Sequence, residues 1–113
     1  MAVHPSFSRP KIPEGFAFEI AELMILRNWA ENRGLEISIK LDHAERGQEY
    51  EEYVRLQAAG SRISPICLWR SADAVMIVPF GSKPRRFISM AHALSALQLR
   101  NGVIELRQSR TGG

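Results

Sequence analysis

Only one cysteine, Cys67, occurs among the 113 residues of the sequence. A single cysteine cannot form an internal disulfide, so the sequence lacks the disulfide framework of a small secreted domain. The longest nearly apolar run, residues 20–26, is interrupted by Glu22 and is far shorter than the roughly 20 apolar residues of a membrane helix. The start of the chain has no apolar segment of the kind that a secretory signal contains. These absences predict a cytoplasmic protein that does not enter a membrane.

The signature motifs of several enzyme classes are also absent. The sequence has no glycine-rich phosphate-binding loop and no H-E-x-x-H zinc motif. Cys67 could act as a nucleophile with a histidine as its base. Its position inside an apolar run is more typical of an inert, buried thiol. The sequence therefore predicts no catalytic cysteine.

Two groups of acidic residues were candidates for chemistry. One group contains four metal-ligand types within eight residues, and its members are Asp42, His43, Glu45 and Glu49. Their spacing does not match a specific metal motif, and a helix cap accounts for two of them. The other group could supply a general acid and base, and its members are Glu49, Glu51 and Glu52. We interpret it as a solvated helix face, and we predict neither a metal site nor a cofactor.

The net charge of +3 is unevenly distributed along the chain. Residues 1–60 carry seven basic and ten acidic side chains, whereas residues 61–113 carry eight basic and two acidic ones. This asymmetry is consistent with solvated faces, with an anionic partner for the second half, or with two faces that attract each other. The basic residues that could contact phosphate groups are Arg70, Lys83, Arg85 and Arg86. They define a candidate nucleic-acid or anion-binding surface.

Length and composition predict one domain. A chain of 113 residues with 45% hydrophobic and 24% charged residues has ordinary globular values and is too short for two separate cores. Proline is concentrated near the start, where residues 1–15 predict an extended arm. We expect the α+β domain to span residues 16–108 and a flexible tail to span residues 109–113.

Hydrophobic periodicity predicts three helices and several strands. Helices are expected over residues 16–33, 42–59 and 90–100, and strands over residues 35–41, 66–70, 75–80, 85–88 and 103–107. The clearest strand is the first one, in which four aliphatic residues alternate with polar ones. The resulting order is α-β-α-β-β-(β)-α-β, which indicates a mostly antiparallel or mixed sheet packed by three helices.

The first predicted helix is unusually apolar, which is typical of a helix covered on more than one side. Surplus apolar surface often marks an interface. The residues that we expect to mediate self-association are Phe18, Ile25 and Trp29. A homodimer is the expected state, because small symmetric dimers are common.

The leading functional hypothesis is therefore a non-enzymatic interaction or regulatory protein that self-associates and could have a further protein partner. The first alternative is a nucleic-acid-associating module that uses the basic hairpin surface. The second alternative is a small RNase-like enzyme that uses basic residues and no metal.

Overall fold

A computed structural model describes residues 11–43, 49–58, 60, 65–79, 83–100 and 103–107. Within these ranges the chain forms two helices and seven strands in one α+β domain. The elements are α1 (Ile20–Glu31), β1 (Leu35–His43), β2 (Tyr50–Ala58), β3 (Ile66–Arg70), β4 (Val75–Val78), β5 (Arg85–Phe87), α2 (Met90–Ser95), β6 (Leu97–Arg100) and β7 (Val103–Leu106).

Five strands form an antiparallel sheet in the order β1-β2-β3-β4-β5, so each strand pairs with its neighbour in sequence. The remaining strands, β6 and β7, form a separate antiparallel hairpin. The turn between β3 and β4 is closed by a 2.9 Å hydrogen bond from Ser71 N–H to the carbonyl of Ala74. The predicted hairpin around residues 71–74, the short strand that follows it, and the antiparallel sheet are confirmed.

The core lies between one face of this sheet and the two helices. Alternate residues of the central strands reach zero exposure, as the two-residue period of a strand requires. They are Val54, Leu56, Leu68, Val75 and Ile77. The helices cover them with residues that are also buried, namely Leu26, Ala30, Met90, Ala93 and Leu94. The domain therefore has two layers, with both helices on the same side of the sheet.

The predicted helix over residues 42–59 is wrong, because most of this segment forms β2 and its first residues extend β1 to His43. The sequence 50–58 contains glutamates and arginine at helical spacing, which suggested an exposed helix face. In the structure Val54 and Leu56 instead alternate into the core, and Leu56 pairs in register with Ile37 of β1. Burial against neighbouring strands outweighs a weak helical preference. Residues 44–48 lie outside the described part of the chain.

The other two helices are shorter than predicted. Helix α1 begins at Ile20, after a capping box in which Glu19 and Glu22 each accept a hydrogen bond from the other residue's backbone. Helix α2 begins as predicted after Ser89, whose hydroxyl accepts a 3.2 Å hydrogen bond from His92 N–H. It ends at Ser95, and the residues predicted to continue it form β6. The prediction of three helices is therefore wrong, since the described residues contain two.

Residues 11–18 lie along the start of β2. The backbone N–H of Tyr50 donates to the carbonyl of Lys11 at 2.9 Å, and that of Glu52 donates to Phe16 at 3.2 Å. Gly15 has a φ of +89° and lies so close to the β3–β4 turn that an added Cβ would be 2.8 Å from Ala72 Cα. The rest of the predicted arm, residues 1–10, and the predicted tail, residues 109–113, lie outside the described residues, so the domain limits stay a prediction.

In the described part of the chain, neither helix is both long enough and apolar enough to cross a membrane.

Candidate functional site

The face of the five-stranded sheet opposite the helices carries a continuous half-buried patch, which we call the open face. Its members come from the alternate positions of three adjacent strands and are Tyr53, Arg55, Cys67, Trp69, Met76 and Val78. On the helix-covered face the same strands bury Val54, Leu68 and Ile77 completely, whereas all six members keep partial solvent exposure. The patch is apolar at its centre, which is uncommon for the outer side of a two-layer sheet.

An aromatic pair occupies the middle of the open face. Tyr53 and Trp69 are partners in the β2–β3 register, and their rings stack with centroids 4.3 Å apart and planes inclined by 21°. Met76 is the next residue in the same row, opposite Trp69. Cross-strand aromatic pairs stabilise a sheet and offer rigid apolar contact area with little conformational entropy to lose.

A depression of about 250 Å³ lies beside this aromatic pair. Its apolar walls are formed by Phe16, Trp69, Met76, Val78 and Pro84. Glu51, Arg70 and Ser71 complete its lining. Pockets for drug-sized molecules have volumes of about 300–1,000 Å³. The depression is therefore suited to one or two side chains of a partner.

Arg55 carries a positive charge within the largely apolar open face. It is half-buried, lies opposite Cys67 in the β2–β3 register, and forms no ion pair with any carboxylate of the described residues. Burial raises the pKa of the Cys67 thiol, and the positive charge of Arg55 partly opposes that rise. The thiol is therefore protonated at neutral pH, which is the opposite of what a cysteine nucleophile needs.

Arg70, one of the predicted anion-binding residues, has a structural partner. Its Nε lies 3.2 Å from Glu22 Oε1, and its Nη1 donates to the carbonyl of Ala74 at 2.9 Å. The side chains of Arg70 and Glu22 are only 18% and 12% exposed. Arg70 thus connects α1 to the β3–β4 turn, on the helix-covered side of the sheet.

The other three residues of the predicted anion-binding surface are not brought together. Arg85 lies on the helix-covered side and donates to the carbonyl of Arg107 at 2.9 Å. Arg86 projects from the opposite side and forms an exposed 2.6 Å ion pair with Asp73. Lys83 is exposed ahead of β5. Arg70 and Arg85 therefore lie on one side of the sheet and Arg86 on the other.

The three residues predicted to mediate self-association also differ in their positions. Phe18 is 6% exposed and belongs to the core, so its side chain faces the rest of its own chain. Trp29 is half-buried against the core, and the guanidinium of Arg33 lies 4.4 Å from its ring centroid. Ile25 is 45% exposed on α1 and remains accessible to a partner.

The acidic candidates do not converge either. Glu51 and Glu52 are adjacent in β2 and therefore point to opposite faces of the sheet. Glu52 Oε1 accepts a 2.9 Å hydrogen bond from Phe18 N–H, and His43 lies against the ring of Tyr50. Among the described residues, no group of three or more potential metal ligands occurs. Glu45 lies outside those residues.

The sequence does not predict the open face, because its pattern over residues 50–58 favours a helix and these residues form β2. The alternation in the predicted hairpin places Cys67 and Trp69 on one face of the first strand. Met76 and Val78 of the second strand lie on the same face of the sheet. The sequence signal was the apolar character of both faces of β4. Tyr53 and Arg55 could join them only after residues 50–58 were recognised as a strand.

Compared with family models, with curated proteins and with solved structures, the chain matches none of them.

Proposed function

We propose that the protein is a non-enzymatic interaction domain that binds an acidic protein segment on its open face. The observation that supports the proposal is that Arg55 lies beside the stacked rings of Tyr53 and Trp69 and forms no ion pair with a carboxylate in the part of the chain that the structure describes. Tryptophan, tyrosine and arginine are the residue types that dominate the energy of protein interfaces. The three occur here on adjacent strands of a rigid sheet.

The chemistry of the surface defines the partner. The apolar depression next to Trp69 accepts an aliphatic or aromatic side chain, since its walls are mostly carbon. The guanidinium of Arg55 would donate hydrogen bonds to a carboxylate of the partner. This charge-assisted pair would lie in a place that is partly shielded from water. The expected ligand is therefore a segment with an apolar side chain close to an aspartate or glutamate.

A protein segment is favoured over single-stranded nucleic acid. Binding of single strands relies on aromatic rings whose faces are free for base stacking. Tyr53 and Trp69 each cover one ring face of the other. The basic residues that a phosphate backbone would need are split, because Arg70 pairs with Glu22 and Arg85 lies on the far side.

The proposal is tested by selecting peptides from a displayed random peptide library on the purified protein. We expect the selected peptides to combine an apolar side chain with neighbouring carboxylates. The affinity of one such synthetic peptide is then measured by fluorescence anisotropy. Trp69→Ala and Arg55→Glu should each weaken binding by about tenfold or more, because both remove a central contact.

Matched controls use an exposed apolar residue and an exposed arginine on α1. Ile20→Ala and Arg27→Glu should leave the affinity within about twofold, since exposed residues outside an interface contribute little. The proposal is overturned if the selected peptides are basic, or if the α1 variants weaken binding as much as the open-face variants.

A further inference from the structure

The outer edge of β1 has no strand partner among the described residues. This nine-residue strand is the terminal strand of the sheet, so it pairs with β2 on one side only. Among the described residues, no backbone hydrogen bond reaches its other edge from Leu35 to Leu41. Ile39 and Leu41 on this strand are 49% and 42% exposed. Natural proteins usually shorten, cover or heavily charge such an edge, because it is a template for another strand.

The charges of Glu36 and Lys40 on β1 favour pairing with a second copy of the same strand in one register. We propose that β1 pairs antiparallel with β1 of a second copy of this chain, with Ser38 on the two-fold axis. Glu36 of one copy then lies opposite Lys40 of the other, twice in the dimer. On the helix-covered side, Leu35 lies opposite Leu41, and Ile37 lies opposite Ile39 of the other copy. Opposite charges and aliphatic pairs directly across a ladder both stabilise it.

The neighbouring two-fold registers are less favourable. A two-fold axis at Ile39 would place Glu36 opposite Asp42, and an axis at Glu36 or Lys40 would place two glutamates or two lysines opposite each other. Like charges that face each other across strands are destabilising. An axis at Ile37 would place Glu36 opposite Ser38 and Lys40 opposite Gly34, so it forms no pair of opposite charges. The register centred on Ser38 avoids the like-charge conflicts, forms two Glu36–Lys40 pairs, and forms about six to eight backbone hydrogen bonds over residues 35–41.

Ser38 and Lys40 are the cross-strand partners of Arg55 and Tyr53, so the interface borders the open face without including its six members. An antiparallel pairing about a two-fold axis perpendicular to the sheet continues it as one ten-stranded sheet. Both open faces are then on the same side, and both helix layers are on the other. The dimer would thus present two copies of the Tyr53–Trp69 pair to one partner or to two linked segments, which increases effective affinity.

A charge-exchange experiment tests the register. Sedimentation equilibrium of the unaltered chain should give twice the 12.7 kDa chain mass. Glu36→Lys and Lys40→Glu should each be monomeric at the same concentration, because each one faces like charges across the axis. An equimolar mixture of the two variants should form heterodimers, and the doubly exchanged chain should form homodimers again. Both residues are exposed, so neither exchange disturbs the core.

A cross-linking experiment provides independent geometry. In a Cys67→Ser background, Ser38→Cys should be joined to its counterpart by a short bis-maleimide, since the two cysteines face each other. Asp42→Cys is the matched control, because Asp42 is exposed and lies opposite Gly34 in this register, so its counterpart is about 26 Å away, eight residues along the ladder. The proposal is overturned if the unaltered chain is monomeric, if the doubly exchanged chain fails to recover, or if Asp42→Cys cross-links as well as Ser38→Cys. The peptide-binding test uses the unaltered chain and its Arg55 and Trp69 variants, so its outcome is read separately from these charge exchanges.

Discussion

The Arg70 guanidinium lies 3.2 Å from the Glu22 carboxylate, and the same carboxylate oxygen accepts a hydrogen bond from Glu19 N–H at the start of α1. One glutamate thus caps the first helix and connects it to the turn between β3 and β4. Arg70 is predicted from the sequence to contact phosphate, but its guanidinium forms an ion pair with Glu22 within the domain. The relationship explains why a run of basic residues in a sequence need not form a basic surface.

Removal of this ion pair should destabilise the domain. We expect Arg70→Met to lower the free energy of unfolding by about 1–3 kcal/mol, because it leaves a largely buried carboxylate without its partner. Urea denaturation measures the change. The exposed pair of Arg27 and Glu31 supplies the control, since Arg27→Met should cost less than about 0.5 kcal/mol. Equal effects of the two substitutions would contradict the structural role of Arg70.

The strand assignment of residues 50–58 predicts the effect of Leu56→Ala. Leu56 is fully buried in β2, whereas a helix with Tyr50, Tyr53 and Val54 inward would expose it. We expect a loss of about 2–5 kcal/mol in the free energy of unfolding. Ile20→Ala, at a highly exposed position, should change it by less than about 0.5 kcal/mol. A small effect of Leu56→Ala would favour the helix.

Gly15 should tolerate alanine less well than Gly34 does. Both have positive φ angles, +89° and +68°, which cost a residue with a Cβ about 1–2 kcal/mol. An added Cβ at Gly15 would also meet the backbone of Ala72 at 2.8 Å, whereas one at Gly34 would have no contact within 4 Å among the described residues. Thermal unfolding should show a larger loss of stability for Gly15→Ala. An equal loss would mean that residues 11–18 do not dock as described.

The Cys67 thiol should react slowly at neutral pH. Because burial raises its pKa, the reactive thiolate appears only as the pH rises above the range of an ordinary cysteine. The midpoint of the pH profile for iodoacetamide alkylation measures this directly. Arg55→Gln should move the midpoint further upward, since it removes the positive charge that favours the thiolate. A downward shift would place Arg55 away from the thiol.

Labelled single-stranded RNA and duplex DNA should not bind with the steep salt dependence of phosphate contacts. The three predicted arginines lie on two faces of the sheet, and Arg70 is in a largely buried ion pair. Fluorescence anisotropy at low and moderate salt measures this. Binding that falls steeply with salt and disappears after Arg85→Glu and Arg86→Glu would restore the nucleic-acid hypothesis.

The parts of the fold that the sequence predicted are those with strong local signals. The alternation of Leu35 to Leu41 and the β-rich runs on either side of the Ser71–Ala74 turn are sufficient to define strands by themselves. Residues 50–58 have no such signal, because Tyr50, Glu52 and Ala58 on one side do not separate clearly from Tyr53 and Gln57 on the other. Their state is decided by pairing with β1 and β3, which no local pattern contains.

The candidate site likewise combines residues that local sequence patterns place with residues that only strand pairing places. Cys67, Trp69 and Met76 can be placed on one face from the hairpin alone, whereas Arg55 enters the site only through β2. Of the residues predicted to mediate self-association, Phe18 belongs to the core, and we propose the edge of β1 as the self-association surface. The exposure of Ile39 and Leu41 depends on which strand ends the sheet, and this is a property of the whole topology.

Binding of an acidic segment with an apolar anchor to the open face is tested most directly by NMR. The isotope-labelled protein is titrated with a library-selected peptide and followed through its backbone amide shifts. We expect saturable changes concentrated at residues 53–55, 67–69 and 76–78. Changes confined to α1 and α2, or no saturable change at any of these strands, would contradict it.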